Sequence, residues 1–211
     1  MLIDISRTLN AAIAVWPGDT RFSTERLLEK RQGASVNLTT MRLSQHTGTH
    51  ADAPLHFDDA GAPLEQLPLE PYWGVAQVVT VGKAAGPLEP ADFAHVDLRL
   101  APRLLVHSRF SALDPAIFPA EIIHPTPALA AWLAAQGIIL YGADTPSMDA
   151  VDSRTLPGHH ALHRHGIAIV EGLLLEGVAD GLYDFVALPL RIAGGDGSPV
   201  RAVLRRLATA R

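Results

Sequence analysis

Short runs of β-branched and aliphatic residues recur along the chain, each bounded by Gly, Pro, Asn, Asp or Ser, and they predict strands rather than long helices. They fall at Leu2–Ser6, Asn37–Ser44, Gly74–Val81, Leu104–His107, Ile138–Tyr141, Ile167–Val170, Phe185–Ile192 and Val200–Leu204. The clearest predicted helix is Pro127–Gln136, with Thr126 as N-cap, Pro127 at the first helical position and Gly137 closing it. Leu88–Ala94, after the Pro87 turn, and His159–His165, between Gly158 and Gly166, each predict a shorter helix. Strands outnumber helices, so the expected fold is mixed α/β with a substantial sheet or barrel. No internal repeat, charge block or low-complexity linker divides the 211 residues, and 1–211 reads as one domain.

Composition narrows the function classes. With 48% hydrophobic and 18% charged residues the chain can bury a sizeable core, which excludes a disordered or fibrous protein. Seventeen Lys+Arg against 22 Asp+Glu give a net charge of −5, without the basic surplus that nucleic acid or an anionic membrane requires. Cysteine is absent, so a disulfide framework, a thiolate nucleophile and a Cys-ligated zinc are all excluded. Any metal must be held by nitrogen and oxygen, and a reducing cytoplasm suits the composition. Met1–Asn10, which contains Asp4 and Arg7, lacks the profile of a signal peptide. The longest apolar stretches, such as Pro127–Ala135, fall well short of the roughly 18 residues needed to span a bilayer.

The ten histidines are unevenly distributed: His46, His50 and His56 form one group, and His159, His160, His163 and His165 another. In a straight strand His46 and His50 would lie about 13 Å apart, near the limit for sharing one ion. A bent segment is therefore required, and Gly48 permits it. Asp52 adds a carboxylate able to bridge two cations, and neutral imidazoles suit zinc, manganese, iron or cobalt. His56 follows Pro54 and reads either as a third imidazole ligand or as an acid/base beside the metal. In the second group, Glu171 ends the apolar run Ile167–Val170, so it and His159 can converge at one end of the sheet. His160 is adjacent to His159, and His163, one helical turn on, competes with it as a ligand. Taken singly, His160, His163 and His165 read as exposed or hydrogen-bonding residues.

The segment His46-Thr-Gly-Thr-His50-Ala-Asp52-Ala-Pro-Leu-His56 resembles the HxGTHxDxPxH signature of the cyclase-like metal-dependent hydrolases. Shorter similarities run along nearly the whole chain: Asp4-Ile-Ser, Val15-Trp16-Pro17-Gly18-Asp19, Asp144-Thr-Pro-Ser147, His159 through Glu171, and Gly197-Ser-Pro-Val-Arg201. The resemblance implies a swivelling β/β/α-type domain with a mixed, barrel-like sheet and flanking helices, assembled as a homodimer. It implies two divalent metal ions per subunit, zinc or manganese, with His46, His50 and Asp52 on one ion and Asp52 bridging to the second. His159 matches the further histidine ligand, and Glu171 the carboxylate that contacts both ions. By the same resemblance His56 is the general acid/base and Trp16 a wall of the substrate pocket. The implied reaction is hydrolysis of the linear amide of N-formyl-L-kynurenine to L-kynurenine and formate, in tryptophan degradation. Two metals some 3.5–4 Å apart can activate water at neutral pH without a protein nucleophile, which fits the missing cysteine. Isatin hydrolases and other cyclic-amide or ester hydrolases of the family would share every ligand. A catalytically silent metal-binding protein is the reading from a different class.

Overall fold

The aliphatic runs become the central strands because they bury side chains on both faces. The computed structural model describes residues 1–207. Its strands are β1 (Leu2–Asp4), β2 (Ser23–Leu28), β3 (Leu38–Arg42), β4 (His50–Asp52), β5 (Trp73–Thr80), β6 (Gly86–Leu88), β7 (Arg103–His107), β8 (Ile123–Pro125), β9 (Leu140–Ala143), β10 (Ala168–Glu171), β11 (Gly181–Val186), β12 (Gly197–Pro199) and β13 (Val203–Arg206). Two α-helices accompany them, α1 (Pro127–Ala135) and α2 (Pro157–Arg164), together with short 3₁₀ turns.

Nine strands form one mixed half-barrel sheet in the order β1-β13-β11-β5-β7-β9-β10-β4-β12. β5, β7, β9 and β10 run parallel, and the flanking pairs are antiparallel. Alternation along these strands divides the core in two. Leu104, Val106, Tyr141 and Ile169 pack with Leu129 and Leu133 of α1 and with Ala161 and Leu162 of α2. Leu105, Leu140 and Val170 point the other way, onto Ile5, Val78, Leu173 and Leu204. Helix α1 starts as its sequence predicts, with the Thr126 hydroxyl accepting from the Leu129 amide at 3.1 Å and Pro127 in the first turn.

Several boundaries differ from the sequence expectation. Leu88–Ala94 is not a helix: Leu88 ends β6, and Pro90–Phe93 forms a 3₁₀ turn closed by reciprocal bonds between Glu89 and Asp92. The predicted strand Phe185–Ile192 is shifted toward the N-terminus and stops at Val186. Beyond it Pro189 has no amide to donate, and the Leu190 amide bonds the Ser198 hydroxyl instead. Val200–Leu204 is shifted to Val203–Arg206, and the second helix begins at Pro157 instead of His159. Asn37–Ser44 supplies β3, but this strand pairs only with β2 in a hairpin exposed along its length. β2, β4 and β12 carried no aliphatic run to reveal them.

Candidate metal centre

Residues two apart in a strand share a face, so β4 presents His50 and Asp52 on one side while Ala51 between them enters the core. Antiparallel β10 sets Glu171 directly opposite His50. The chain before β4 bends at Gly48, whose φ is +70°, and this folds His46 back until its Nδ1 lies 3.0 Å from Asp52 Oδ1. On the other flank β12 sets Gly197 opposite Asp52, and a Cβ at Gly197 would lie 2.6–3.0 Å from the His46 ring. Glycine there is what gives the imidazole its place.

His159 arrives from the first turn of α2. Buried Asp149 accepts from the Gly158 amide at 2.7 Å and the His159 amide at 3.1 Å, and its Oδ2 lies 2.6 Å from His159 Nδ1. One carboxylate thus fixes both the helix start and the ring. The His159 Nε2 edge then faces Asp52 Oδ2 at 3.5 Å and Glu171 Oε1 at 3.3 Å. His50 is oriented the same way: its Nδ1 lies 3.0 Å from the Gly48 carbonyl, and its Nε2 faces Asp52 at 3.4 Å and Glu171 at 3.3 Å.

The result is a cluster of inward-facing acceptors. With Nδ1 of His50 and His159 donating to oxygen, each Nε2 carries a lone pair turned toward two carboxylates. His46 Nε2, His50 Nε2, Asp52 Oδ2 and Glu171 Oε1 are all buried without a hydrogen-bond partner among the described residues. Buried polar atoms are rarely left so, and here they converge. Donor atoms of His46, His50 and Asp52 lie within 4.8 Å of one another, as do those of Asp52, His159 and Glu171. Asp52 belongs to both groups. A nitrogen-and-oxygen set sharing a carboxylate fits a pair of divalent cations.

Electrostatics agree. Burial by itself would lower the His50 imidazolium, but Asp52 and Glu171 more than offset it and raise it to about 10. His159 is also raised well above the ordinary imidazole value: burial opposes this, and Asp149, Asp52 and Glu171 outweigh it. Against its own desolvation, Asp52 is held well below the usual carboxylate range by His159, His46 and His50. Protons on the imidazoles and divalent cations therefore compete for the same lone pairs.

His56 ends the turn Pro54–His56, with its ring centroid 3.9 Å from that of His46 and its side chain one-third exposed. Burial lowers its imidazolium below the ordinary value. Asp196 Oδ2 lies 3.4 Å from His46 Nε2 and 3.9 Å from His56 Nδ1, making a third cluster of potential ligands. His160 and His163 face away and pack on Phe57, at centroid distances of 5.4 and 5.8 Å. These two and His165 belong to none of the three ligand clusters.

A cavity of about 410 Å³ opens over the cluster, with His46, His50, His56, His159 and Glu171 at its base. Trp16 stands on its wall with Phe118 edge-on at 5.1 Å. Asp149 and Asp196 escaped the sequence reading, whose candidate ligating carboxylates are Asp52 and Glu171. A signal existed for Asp196, next to the Gly197-Ser-Pro similarity. None existed for Asp149, whose bonds to His159 cross ten positions.

Comparison with known proteins agrees with this geometry. Residues 3–150 match the family model described as "Putative cyclase". The kynurenine formamidase of Salinibacter ruber is 43% identical over 205 residues, covering 97% of each chain. Among solved structures, one described as a potential metal-dependent hydrolase with cyclase activity superposes with a TM-score of 0.85 at 27% identity, covering 98% of this chain and 99% of the other. Isatin hydrolase A from Labrenzia aggregata gives 0.82 at 25% identity, covering 97% of this chain and 93% of the other. A match over most of the sequence, a relative similar from end to end and a shared fold together establish that the chain belongs to the cyclase family of metal-dependent hydrolases.

Proposed function

We propose that the protein is a kynurenine formamidase, hydrolysing the linear amide of N-formyl-L-kynurenine to L-kynurenine and formate. The observation that carries this reading is the 43% identity to the Salinibacter ruber enzyme across 97% of both chains. The cluster of unpartnered buried donors under the cavity supports it. In this reading His46, His50 and Asp52 would hold one divalent cation, and His159 and Glu171 would hold a second together with Asp52, which belongs to both groups. Zinc or manganese suits the donor set. Such ions supply Lewis acidity toward a carbonyl oxygen and toward water.

The remaining work falls to the chain's own side chains. Asp149 holds the His159 ring by its Nδ1, so that Nε2 stays a lone-pair donor. His56, beside the cluster and open to the cavity, hands a proton to the departing aryl amine, which leaves poorly as an anion. Burial lowers its imidazolium, so near neutral pH the ring starts neutral and the proton it hands on is one it first takes from the attacking water. Trp16 and Phe118 offer an aromatic corner against which the substrate's ring packs. The other walls are largely apolar, including Ile13, Leu113 and Ile117, and keep bulk water from the scissile bond.

We further read the chain as one swivelling β/β/α-type domain that works as a cytoplasmic homodimer. Among the described residues no helix is long and apolar enough to cross a membrane. The β2–β3 hairpin exposes Leu27, Leu28, Leu38 and Met41, and an isolated two-stranded ribbon needs a surface to pack on. Light scattering at micromolar concentration is expected to give a dimer, and a lasting monomer would refute the assembly.

The test of function is a rate comparison on the zinc- or manganese-loaded protein, following kynurenine absorbance. Turnover of N-formyl-L-kynurenine faster than that of isatin is expected. The reverse order would make the protein an isatin hydrolase, the second reading that the Labrenzia aggregata superposition favours. Bound metal without turnover of either compound would make it a silent metal-binding protein.

A further inference from the structure

Arg7 sits beside the metal centre in an unusual state. Its Nε donates to the Gly172 carbonyl at 3.2 Å, and Nη2 donates to the Phe110 and Asp144 carbonyls, both at 3.2 Å. Its backbone amide donates to the Thr49 hydroxyl at 2.8 Å. Gly172 follows Glu171 and Thr49 precedes His50, so Arg7 is anchored beside the two strands that carry the cluster, by its guanidinium at Gly172 and by its backbone amide at Thr49. Three of its five N–H groups are spent on these carbonyls, which fixes its plane. Nη1 has no partner among the described residues, yet it is not one of the buried unpartnered atoms. Arg7 lines the cavity, and Nη1 is its one guanidinium nitrogen without a partner among the described residues.

The charge is equally unmatched. No carboxylate among the described residues forms an ion pair with Arg7. Asp144, the nearest candidate, turns its oxygens to Ser108 and Ser111, which donate through both amides and both hydroxyls at 2.7–3.0 Å. Desolvation weighs on the guanidinium and lowers its affinity for the proton, though it stays charged at neutral pH. The other charged or ionisable cavity residues are histidines of the cluster or acids. A half-desolvated guanidinium with two free N–H groups in one plane suits a carboxylate from a ligand.

We propose that Arg7 binds the α-carboxylate of an amino-acid substrate and makes the enzyme selective for acyl-amide substrates that carry one. The proposal rests on the formamidase reading, since it places the scissile formamide at the cluster and the amino-acid carboxylate toward Arg7. Asp19 and Asp114 line the same cavity, so its polar rim carries both signs, as a zwitterionic amino acid requires.

The test uses the metal-loaded full chain and three formamides: N-formyl-L-kynurenine, its methyl ester, and 2-formamidoacetophenone, which lacks the amino-acid group. In the wild type, kcat/KM for the free acid is expected to exceed that for the methyl ester by about 10–100-fold, the worth of a charge-assisted contact. Arg7→Gln should erase that preference, mainly through KM, and Arg7→Lys should keep part of it. Equal handling of acid and ester by the wild type would overturn the proposal without any variant. Equal losses of Arg7→Gln on all three substrates would reduce Arg7 to an anchoring residue and overturn it too. If the wild type cleaves none of the three, the formamidase reading fails instead, and calorimetry still decides the role of Arg7. L-kynurenine should bind the wild type about 10–100-fold more tightly than 2-aminoacetophenone, with the difference lost in Arg7→Gln. No difference in the wild type would overturn the carboxylate assignment.

Discussion

Replacing Asp149 by Asn changes one buried oxygen into an amide nitrogen and should disable one metal site without removing any ligand. Asp149 is 1% exposed and bonds the Gly158 amide, the His159 amide and His159 Nδ1. An asparagine oxygen can still serve Gly158, but its NH₂ then faces two N–H donors. His159 escapes the conflict by moving its proton from Nδ1 to Nε2, which removes the lone pair that faces Asp52 and Glu171. Losing the outer partner of a ligating histidine weakens metal binding by about 10–100-fold, or about 1.4–2.8 kcal/mol. A loss of about 1–2 kcal/mol in stability would lower the midpoint of a domain this size by only about 2–8 °C, so the variant should remain folded. Competition against a chromophoric chelator reads the result directly. One of two equivalents should weaken by that factor while the second changes less. Wild-type affinity for both equivalents in a folded Asp149→Asn protein would refute the role given to Asp149 and the assignment of His159 as a ligand.

Three further outcomes follow from the same geometry. Asp52→Ala removes the carboxylate common to both ligand groups, so metal analysis should find most bound metal lost along with activity, and two retained equivalents would disprove the dinuclear assignment. His56→Ala should keep its metal while turnover of the formamide falls by about 10²–10⁴-fold, with a smaller loss on an activated ester whose leaving group needs no proton; metal loss, or equal losses on both substrates, would make His56 a ligand or a positioning residue. His50 is raised to about 10, so at pH 7.5 it holds a proton that a cation must displace, and Asp149, Asp52 and Glu171 shift His159 in the same direction against its burial. The sign follows: loading should release protons and tighten as pH rises, and calorimetry in buffers of different ionisation enthalpy should show release, whereas proton uptake would contradict the assigned directions.

The parts of this site that could be read from sequence were those confined to one local segment. His46, His50 and Asp52 lie within seven positions, and the need for a bend at Gly48 followed from strand dimensions alone; the structure supplies that bend. The pairing of Glu171 with His50 was only half legible, because a polar residue ending an apolar run stands out but its register against β4 is a tertiary fact. Asp149 and Arg7 act through bonds to residues nine to 165 positions away, and no periodicity encodes those. The same contrast holds for the fold. β5, β7 and β9 announced themselves as buried aliphatic runs, whereas β4 and β12, three residues each, are strands because β10 and each other's edges hold them. Leu88–Ala94 misled because Pro90 holds the preceding Glu89 in extended backbone, so no helix starts at Leu88 and the Glu89–Asp92 bonds cap only the 3₁₀ turn that begins at Pro90.

The most direct test of metal-dependent formamide hydrolysis is a titration of the chelator-stripped protein with zinc, following N-formyl-L-kynurenine cleavage at each addition. Activity should be negligible at the start, rise with added metal and level off at two equivalents per chain. Undiminished cleavage by protein shown to be free of metal would contradict it.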